Sequence, residues 1–308
     1  MPDETRATTG REAPEVNGAR PGVLGPARTP DDIAEAIDRV RARTGPFAGL
    51  LLYFDAVSST NDIAHRAAAS GAAEGTTVVA GTQHRGRGRL GRAWHSPPGA
   101  GLYVSVVCRP RLGAAGAAGG AGGAFEGVSA LTLVAGVALA EALGNVTGLP
   151  VEIKWPNDLL VGGRKLCGIL AEASVIEGTL QHVILGFGIN LRPAGYPPEL
   201  ADRATSIEAE LGRPIERGAV LAESLVALAS RYREFGDGRV GVVLGRWRAL
   251  SPSSVGAPVT WATPAGQRSG VTAGVDDGGA LLVRTFAGLE RIVGGELTWL
   301  PRPATSEG

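Results

Sequence analysis

The distribution of apolar segments changes after residue 250, and this change sets the domain organisation of the 308-residue chain. Before it, short apolar segments typical of strands alternate with longer segments of helical periodicity. This pattern predicts an α+β domain with a mixed sheet. After it, short apolar segments separated by glycine-containing turns predict a small β-barrel or sandwich. These segments are residues 258–262, 270–275, 280–285, 289–293 and 297–300.

The boundaries of the two domains follow from composition and from a helix-start signal. Residues 1–28 are rich in alanine, proline and glycine without hydrophobic periodicity, and they predict a disordered tail. Thr29 precedes a proline and two acidic residues, an order typical of a helix start with the threonine as its cap. The first domain is therefore expected over 29–250 and the second over 251–303. Residues 113–124 contain only glycine and alanine and predict a flexible surface loop.

Charge and cysteine content exclude several function classes. The chain has 30 basic and 30 acidic side chains, and this balance argues against a protein that coats nucleic acid or binds membranes electrostatically. Two cysteines cannot form a disulfide framework or a four-cysteine zinc site, and the four histidines lack ligand spacing, so no metal site is predicted. No unbroken apolar segment suits a membrane span or a signal sequence. The expected location is the cytoplasm.

Lysine is scarce in a chain with 28 arginines, and its two occurrences lie close together. They are Lys154 and Lys165. An arginine fork is a poor substitute for a compact ammonium where a single charge must approach an anion. The two lysines therefore indicate a place where a carboxylate or phosphate is bound, with chance placement as the alternative.

The segment from Gln83 to Trp94, called the Arg/Gly loop below, concentrates positive charge between two predicted strands. Glycines let backbone N–H groups approach an anion, and guanidinium groups match phosphate oxygens. The segment lacks the lysine and hydroxyl residue that close a nucleotide-binding P-loop. It predicts an anion-binding loop, with an RNA-binding arginine–glycine segment as the alternative. It has three glycines, no acidic residue and four arginines, which are Arg85, Arg87, Arg89 and Arg92.

Three further segments place polar side chains or glycines at the ends of predicted elements. Residues 154–158, Lys-Trp-Pro-Asn-Asp, end a predicted strand, and residues 164–172 follow in a hairpin. Residues 58–61, Ser-Ser-Thr-Asn, either cap a helix or supply a polar pocket for a neutral heterocycle. Gly186 and Gly188 in a buried strand indicate close approach of a ligand or another element to the backbone.

Taken together and in this order, these motifs resemble those of the biotin protein ligases. The Arg/Gly loop combined with K-W-P-N-D is specific, whereas S-S-T-N alone is weak. The resemblance extends over about residues 50–300 and implies a mixed-sheet catalytic domain of the biotin/lipoate ligase type, followed by a small SH3-like β-barrel. The motifs are S-S-T-N at 58–61, Q-x-x-G-R-G-R-x-G-R-x-W at 83–94, K-W-P-N-D at 154–158, R-K-L-x-G-I-L-x-E at 164–172 and G-x-G-I-N at 186–190.

The resemblance implies a ligase with two half-reactions and a protein acceptor. Biotin and MgATP would give biotinyl-5′-AMP and pyrophosphate. The acceptor would be a lysine on the biotin carboxyl carrier domain of acetyl-CoA carboxylase or a related acyl-CoA carboxylase. Family members are monomers or homodimers, and the sequence favours neither. Members that also repress transcription carry an N-terminal winged helix domain, which residues 1–49 cannot form, so no DNA binding is expected.

Carried over motif by motif, the resemblance also implies roles for individual residues. The expected catalytic residues are Lys165, Arg87, Arg89 and Asp158. The expected biotin contacts are Ser59, Thr60, Asn61, Gln83, Gly86, Arg87, Gly88, Arg89, Lys165, Gly168, Gly186 and Gly188. The expected nucleotide contacts are Arg89, Arg92, Trp94, Lys154, Asn157, Asp158 and Asn190.

Two alternative functions are compatible with parts of the sequence. A lipoate or octanoate ligase or transferase shares the expected fold, but it would favour an apolar channel and lack the Arg/Gly loop. A non-enzymatic RNA-binding protein could use the arginines of that loop. Zero net charge and 5% aromatic residues argue against this second alternative.

Overall fold

The structure, a computed structural model, describes residues 26–110, 120–194 and 196–300. Its larger sheet has seven strands in the order β1-β2-β3-β7-β6-β5-β4. Strands β1 and β2 are parallel, and all other neighbours are antiparallel. This arrangement confirms the predicted mixed sheet. The strands are β1 (Leu51–Phe54), β2 (Thr77–Ala80), β3 (Gly101–Cys108), β4 (Glu152–Lys154), β5 (Asp158–Val161), β6 (Arg164–Ile176) and β7 (Thr179–Asn190).

Helices cover both faces of this sheet because its central strands are apolar on both sides. Val106 packs into the main core under the larger helices, whereas its neighbour Val107 packs into a second core under α2. Helices α1, α3, α6 and α7 pack on one another, and α3 also lies along β6 and β7. The helices are α1 (Asp31–Val40), α2 (Thr60–Ala69), α3 (Gly120–Thr147), α4 (Pro198–Ala201), α5 (Ile207–Leu211), α6 (Arg217–Gly236) and α7 (Val240–Leu250).

Helix α3 is the central helix of the main core. Its segment Gly127–Thr147 is long and apolar enough to cross a membrane, but most of it is buried inside the protein. The helix begins at Gly120. The prediction of a loop is therefore wrong for residues 120–124, where alanines continue the helix despite the glycines, while residues 113–119 lie outside the described residues.

The N-terminal expectations also need correction. Pro30 is the N-cap of α1, so the predicted cap at Thr29 is wrong. Residues 1–25 lie outside the described residues, but residues 26–28 of the predicted tail are described. The Ala27 N–H donates to the Tyr53 carbonyl at 2.8 Å, which covers part of the edge of β1. The short helices α4 and α5, and the glycine-interrupted α7, were not predicted.

A second sheet of five antiparallel strands follows α7, in the order β11-β10-β9-β8-β12. It confirms a separate C-terminal β module whose strands fit an SH3-like domain. Within the described residues, β11 and β12 are edge strands, so the expected barrel is not closed. The Trp155 indole N–H donates to the Gly279 carbonyl at 3.1 Å and ties the second sheet to the end of β4. The strands are β8 (Val255–Thr263), β9 (Gly266–Val275), β10 (Leu281–Thr285), β11 (Gly288–Ile292) and β12 (Leu297–Trp299).

Candidate active site

A cavity of about 410 Å³ lies between the Arg/Gly loop, the N-terminus of α2, one face of β5–β7 and the edge of the second sheet. It brings together seventeen of the eighteen residues expected in the site. The exception is Gly86, whose absent side chain leaves room for the Trp94 carbonyl and the Ser96 hydroxyl. The residues that line it are Ser59, Thr60, Asn61, Gln83, Arg87, Gly88, Arg89, Arg92, Trp94, Lys154, Asn157, Asp158, Lys165, Gly168, Gly186, Gly188 and Asn190.

Three glycines in adjacent strands form the floor of the cavity. Gly168 pairs with Gly188 across β6 and β7, and Gly186 lies two residues earlier on β7. A Cβ at Gly168 would lie 2.8 Å from Trp94 Cζ3, and one at Gly188 would overlap the Trp94 indole nitrogen. A Cβ at Gly186 would lie 2.9 Å from Asn61 Cγ. The glycines therefore allow two protein side chains, Trp94 and Asn61, to lie directly against these strands. This is the close approach that the sequence predicts.

The N-terminus of α2 supplies an uncharged polar cluster. The Thr60 backbone N–H donates to Gln83 Oε1 at 2.8 Å, and Gln83 Nε2 donates to the Ser96 hydroxyl at 3.0 Å. Ser59 is the N-cap residue, as the capping interpretation of this segment expects, but its side chain makes no capping hydrogen bond. Instead, Gln83 of the Arg/Gly loop accepts the hydrogen bond from the first backbone N–H of the helix. The side chains of Ser59, Thr60 and Asn61 remain at the cavity wall.

Lys165 lies at the opposite side of the cavity floor, next to a carboxylate. Its Nζ is 2.6 Å from Asp158 Oδ1 and 5.2 Å from the centre of the Trp94 ring. The Lys165 N–H donates to the Arg203 carbonyl at 2.7 Å, and the Thr205 N–H donates to the Lys165 carbonyl at 2.9 Å. The backbone of Lys165 is thus fixed between β5 and the segment before α5, while its ammonium group reaches the cavity.

Further cations surround the same side of the cavity. Lys154 Nζ lies 5.7 Å from the centre of the Trp299 ring, which belongs to the second sheet. Burial lowers the pKa of Lys154, an effect that Asp158 partly opposes. Burial also lowers the pKa of Arg89, whose Nη1 donates to Asn157 Oδ1 at 3.4 Å. Desolvated cations interact strongly with an incoming anion because less water screens them.

The Arg/Gly loop is held by backbone bonds and by ion pairs at two of its arginines. The Trp94 N–H donates to the Gly86 carbonyl at 2.9 Å, and the Gly88 N–H donates to the Arg92 carbonyl at 2.7 Å. Arg87 pairs with acidic residues of α2 and β6, and Arg92 pairs with Glu296, which directly precedes β12 of the second domain. The loop therefore spans the cavity from the first domain to the second.

The expected role of one residue, Asn190, has to be revised, and three residues near or in the cavity are absent from the sequence motifs. Asn190 lines the cavity, but its Nδ2 donates to the Thr205 carbonyl at 2.9 Å, which gives it a structural contact. The hydroxyl of Ser105, in β3, joins the polar cluster and was signalled only by a polar residue inside an apolar strand. Glu296 and Trp299 come from the second domain, which sequence spacing cannot align with the first.

Two histidines lie close to the site, on α2 and β7. His65 Nδ1 is 3.1 Å from His182 Nε2. Burial is the main cause that lowers the pKa of each; Glu172 and Asp62 oppose this for His65, whereas Arg87 adds to it. For His182, the neighbouring His65 and Arg109 lower the pKa further. Both histidines therefore favour the neutral form in the folded protein.

This pair predicts a loss of stability in acid. The unfolded chain takes up protons at a pH near the ordinary histidine value of about 6.5, before the folded chain does. The contribution of the two histidines to the free energy of unfolding should therefore be fully present above that pH. It should be lost as the pH falls from there through their lower pKa values in the folded protein. The apparent Tm between about pH 7.5 and pH 5 should decline less in His182→Gln than in wild type. His84→Gln, at an exposed position, is the control, and equal declines in all three proteins would contradict the prediction.

Comparison with known proteins agrees with this geometry. Residues 53–190 match the model of the biotin/lipoate A/B protein ligase family. The bifunctional ligase/repressor BirA of Bacillus subtilis is 33% identical over 289 residues, 93% of this chain and 85% of that protein. The chain belongs to the biotin protein ligase family. A biotin–[acetyl-CoA-carboxylase] ligase of Paracoccus denitrificans is 33% identical over 225 residues, 71% of this chain and 88% of that protein.

A solved structure of the family supports the fold assignment. The biotin protein ligase from Aquifex aeolicus, in complex with biotin and ATP, superposes with a TM-score of 0.68 at 29% identity. The match covers 82% of this chain and 99% of that one. The resemblance inferred from the motifs is thus confirmed for the family and for the α+β fold with its C-terminal module.

Proposed function

We propose that this chain activates biotin with ATP and transfers it to a lysine of a biotin carboxyl carrier protein. The observation that carries the proposal is the division of one cavity into two chemical halves. Thr60, Asn61 and Gln83 offer uncharged donors and acceptors at one side, which suit the ureido ring of biotin. Lys154 and Lys165 offer positive charge at the other, which suits a carboxylate and the phosphates of ATP.

The first half-reaction needs positioning and charge stabilisation more than a nucleophile from the protein. A biotin carboxylate oxygen forms a bond to the α-phosphorus of ATP, and the bond between that phosphorus and the pyrophosphate oxygen breaks. Lys165 would hold the carboxylate beside the phosphate and stabilise negative charge during transfer. Arg89, placed by Asn157, would add positive charge at the phosphate side.

The second half-reaction transfers the biotinyl group from the adenylate to the acceptor. The amine of the acceptor lysine forms a bond to the biotinyl carbonyl carbon, the bond from that carbon to the phosphate oxygen breaks, and AMP leaves while the amine loses a proton. An Arg/Gly loop closed over the adenylate would exclude water, which would otherwise hydrolyse the mixed anhydride. The ion pairs of Arg87 and Arg92 give the loop attachment points on both domains.

Magnesium enters this proposal as part of the MgATP substrate. In the described part of the chain, no group of three histidine, cysteine or acidic side chains forms a metal site. Mg²⁺ bound to nucleotides is commonly held by the phosphates with one or two carboxylates, and Asp158, which lines the cavity, would serve as one of them. The proposed acceptor belongs to acetyl-CoA carboxylase or a related carboxylase, and the proposed compartment is the cytoplasm.

Biotin-dependent ATP–pyrophosphate exchange tests the substrate assignment. The purified chain is incubated with MgATP, labelled pyrophosphate and biotin, with lipoate and octanoate in parallel reactions. Exchange with biotin alone is expected because the polar cluster at α2 matches a ureido ring. Exchange only with lipoate or octanoate would replace the substrate while retaining the adenylation chemistry. Absence of exchange with all three acids would contradict the proposed activity.

A further inference from the structure

Glu172, near the middle of β6, contacts two parts of the candidate site through one oxygen. Its Oε2 accepts a hydrogen bond from Asn61 Nδ2 at 2.6 Å and lies 2.9 Å from Arg87 Nη2. The same oxygen is 3.9 Å from His65 Nε2. The side chain of Glu172 is 28% exposed, so water screens these interactions only in part. None of the roles proposed above belongs to this residue.

Arg87 is held at one end of its guanidinium group. Nη2 lies 2.9 Å from Asp62 Oδ1 as well as from Glu172 Oε2. Both ion pairs are thus made at the same nitrogen, at one end of the guanidinium group. The two carboxylates therefore fix the position of the guanidinium group at the wall of the cavity, where an anion would bind.

The carboxylate of Glu172 also holds Asn61, which belongs to the uncharged polar cluster of the cavity. Its Nδ2 donates to Glu172, and its Oδ1 accepts a hydrogen bond from the Ser105 hydroxyl at 2.5 Å. Together these two partners define which way the amide faces. Asn61 is 4% exposed, so an unsatisfied amide at this position would be costly.

We propose that Glu172 is a positioning residue that sets Arg87 and Asn61 relative to each other. Through Arg87 it governs how long the adenylate stays on the enzyme, and through Asn61 it governs biotin binding. The two effects have different chemical requirements, since Arg87 needs the negative charge of Glu172 whereas Asn61 needs only an acceptor oxygen. This inference rests on the proposed biotin ligase activity.

Two substitutions separate these requirements. Glu172→Gln keeps an acceptor oxygen and loses the charge, so release of the adenylate should accelerate about tenfold while biotin affinity stays within about twofold. Glu172→Ala removes both, so biotin affinity should also fall about tenfold. Release is measured as biotinylation of free amines added in solution, and affinity by titration calorimetry. Glu141→Gln is the matched control, because Glu141 pairs with Arg231 and Arg246 away from the cavity.

A double-mutant cycle distinguishes positioning from a general effect on structure. Arg87→Ala should itself accelerate release, and adding Glu172→Gln to it should produce no further change. Additive effects of the two substitutions would overturn the proposal, as would release from Glu172→Gln at the wild-type rate. If Glu172→Gln does not fold, Glu172→Asp is used, because it retains the charge on a shorter side chain. Its adenylate should be released at a rate between those of wild type and Arg87→Ala, and release at the wild-type rate would overturn the proposal. Wild-type protein that forms no adenylate would instead refute the proposed activity.

Discussion

Replacing Lys165 with alanine is expected to slow biotin-dependent pyrophosphate exchange by roughly 100- to 1000-fold. The ammonium group lies 2.6 Å from Asp158 and reaches the cavity from a backbone fixed by the carbonyl of Arg203. Its loss would leave the biotin carboxylate and the α-phosphate without their shared positive charge. Because the Lys165 side chain is one-third exposed, we expect the substituted protein to fold. Exchange is measured at saturating biotin and ATP.

Arg164→Ala is the matched control for this experiment. Arg164 precedes Lys165 on the same strand but pairs with Glu210 at the surface. It should retain nearly full exchange. Lys165→Arg should lose activity as well, since a planar guanidinium does not reproduce the compact ammonium that lies 2.6 Å from Asp158. Near wild-type exchange in Lys165→Ala would show that this lysine has no part in adenylation.

Replacing Gly186 with alanine is expected to weaken biotin binding about 100-fold. The added Cβ would overlap Asn61 Oδ1 and lie 2.9 Å from Asn61 Cγ, so the amide would have to move away from the strand. This movement would also break its hydrogen bond to Ser105. Affinity is measured by titration calorimetry without nucleotide, which separates binding from chemistry.

Gly245→Ala provides the control for an added methyl group. Gly245 lies on α7, and a Cβ there would meet no atom within 4 Å. Its biotin affinity should equal that of wild type, and its helix should be slightly stabilised. An unchanged affinity in Gly186→Ala would mean that Asn61 can be displaced without consequence and does not contact biotin.

The location of the cavity could be predicted because its signals are local in the sequence. The two lysines stand out against 28 arginines, and the Arg/Gly loop stands out on a chain with no net charge. Glycines inside an apolar strand also have a direct physical meaning, since only they permit close approach to the backbone. These signals identified Lys165, Gly186 and Gly188 without any contact information, and all three line the cavity.

The partners of these residues could not be predicted because they come from distant parts of the chain. Gln83, rather than Ser59, satisfies the N-terminus of α2, and no spacing rule links residues so far apart. The contacts of Glu172 with Asn61 and Arg87 depend on how α2 and the Arg/Gly loop dock on β6. Likewise, Trp299 reaches Lys154 only because the second sheet packs against the first domain.

Native mass spectrometry of the chain after incubation with biotin and MgATP tests the central claim most directly. The proposed chemistry predicts that the protein retains biotinyl-5′-AMP, identified by its mass after release, and that a biotin carboxyl carrier domain discharges it. Retention should require both substrates and should be lost in Lys165→Ala but not in Arg164→Ala. A chain that binds biotin and ATP as separate intact molecules, with no adenylate formed, would contradict the account.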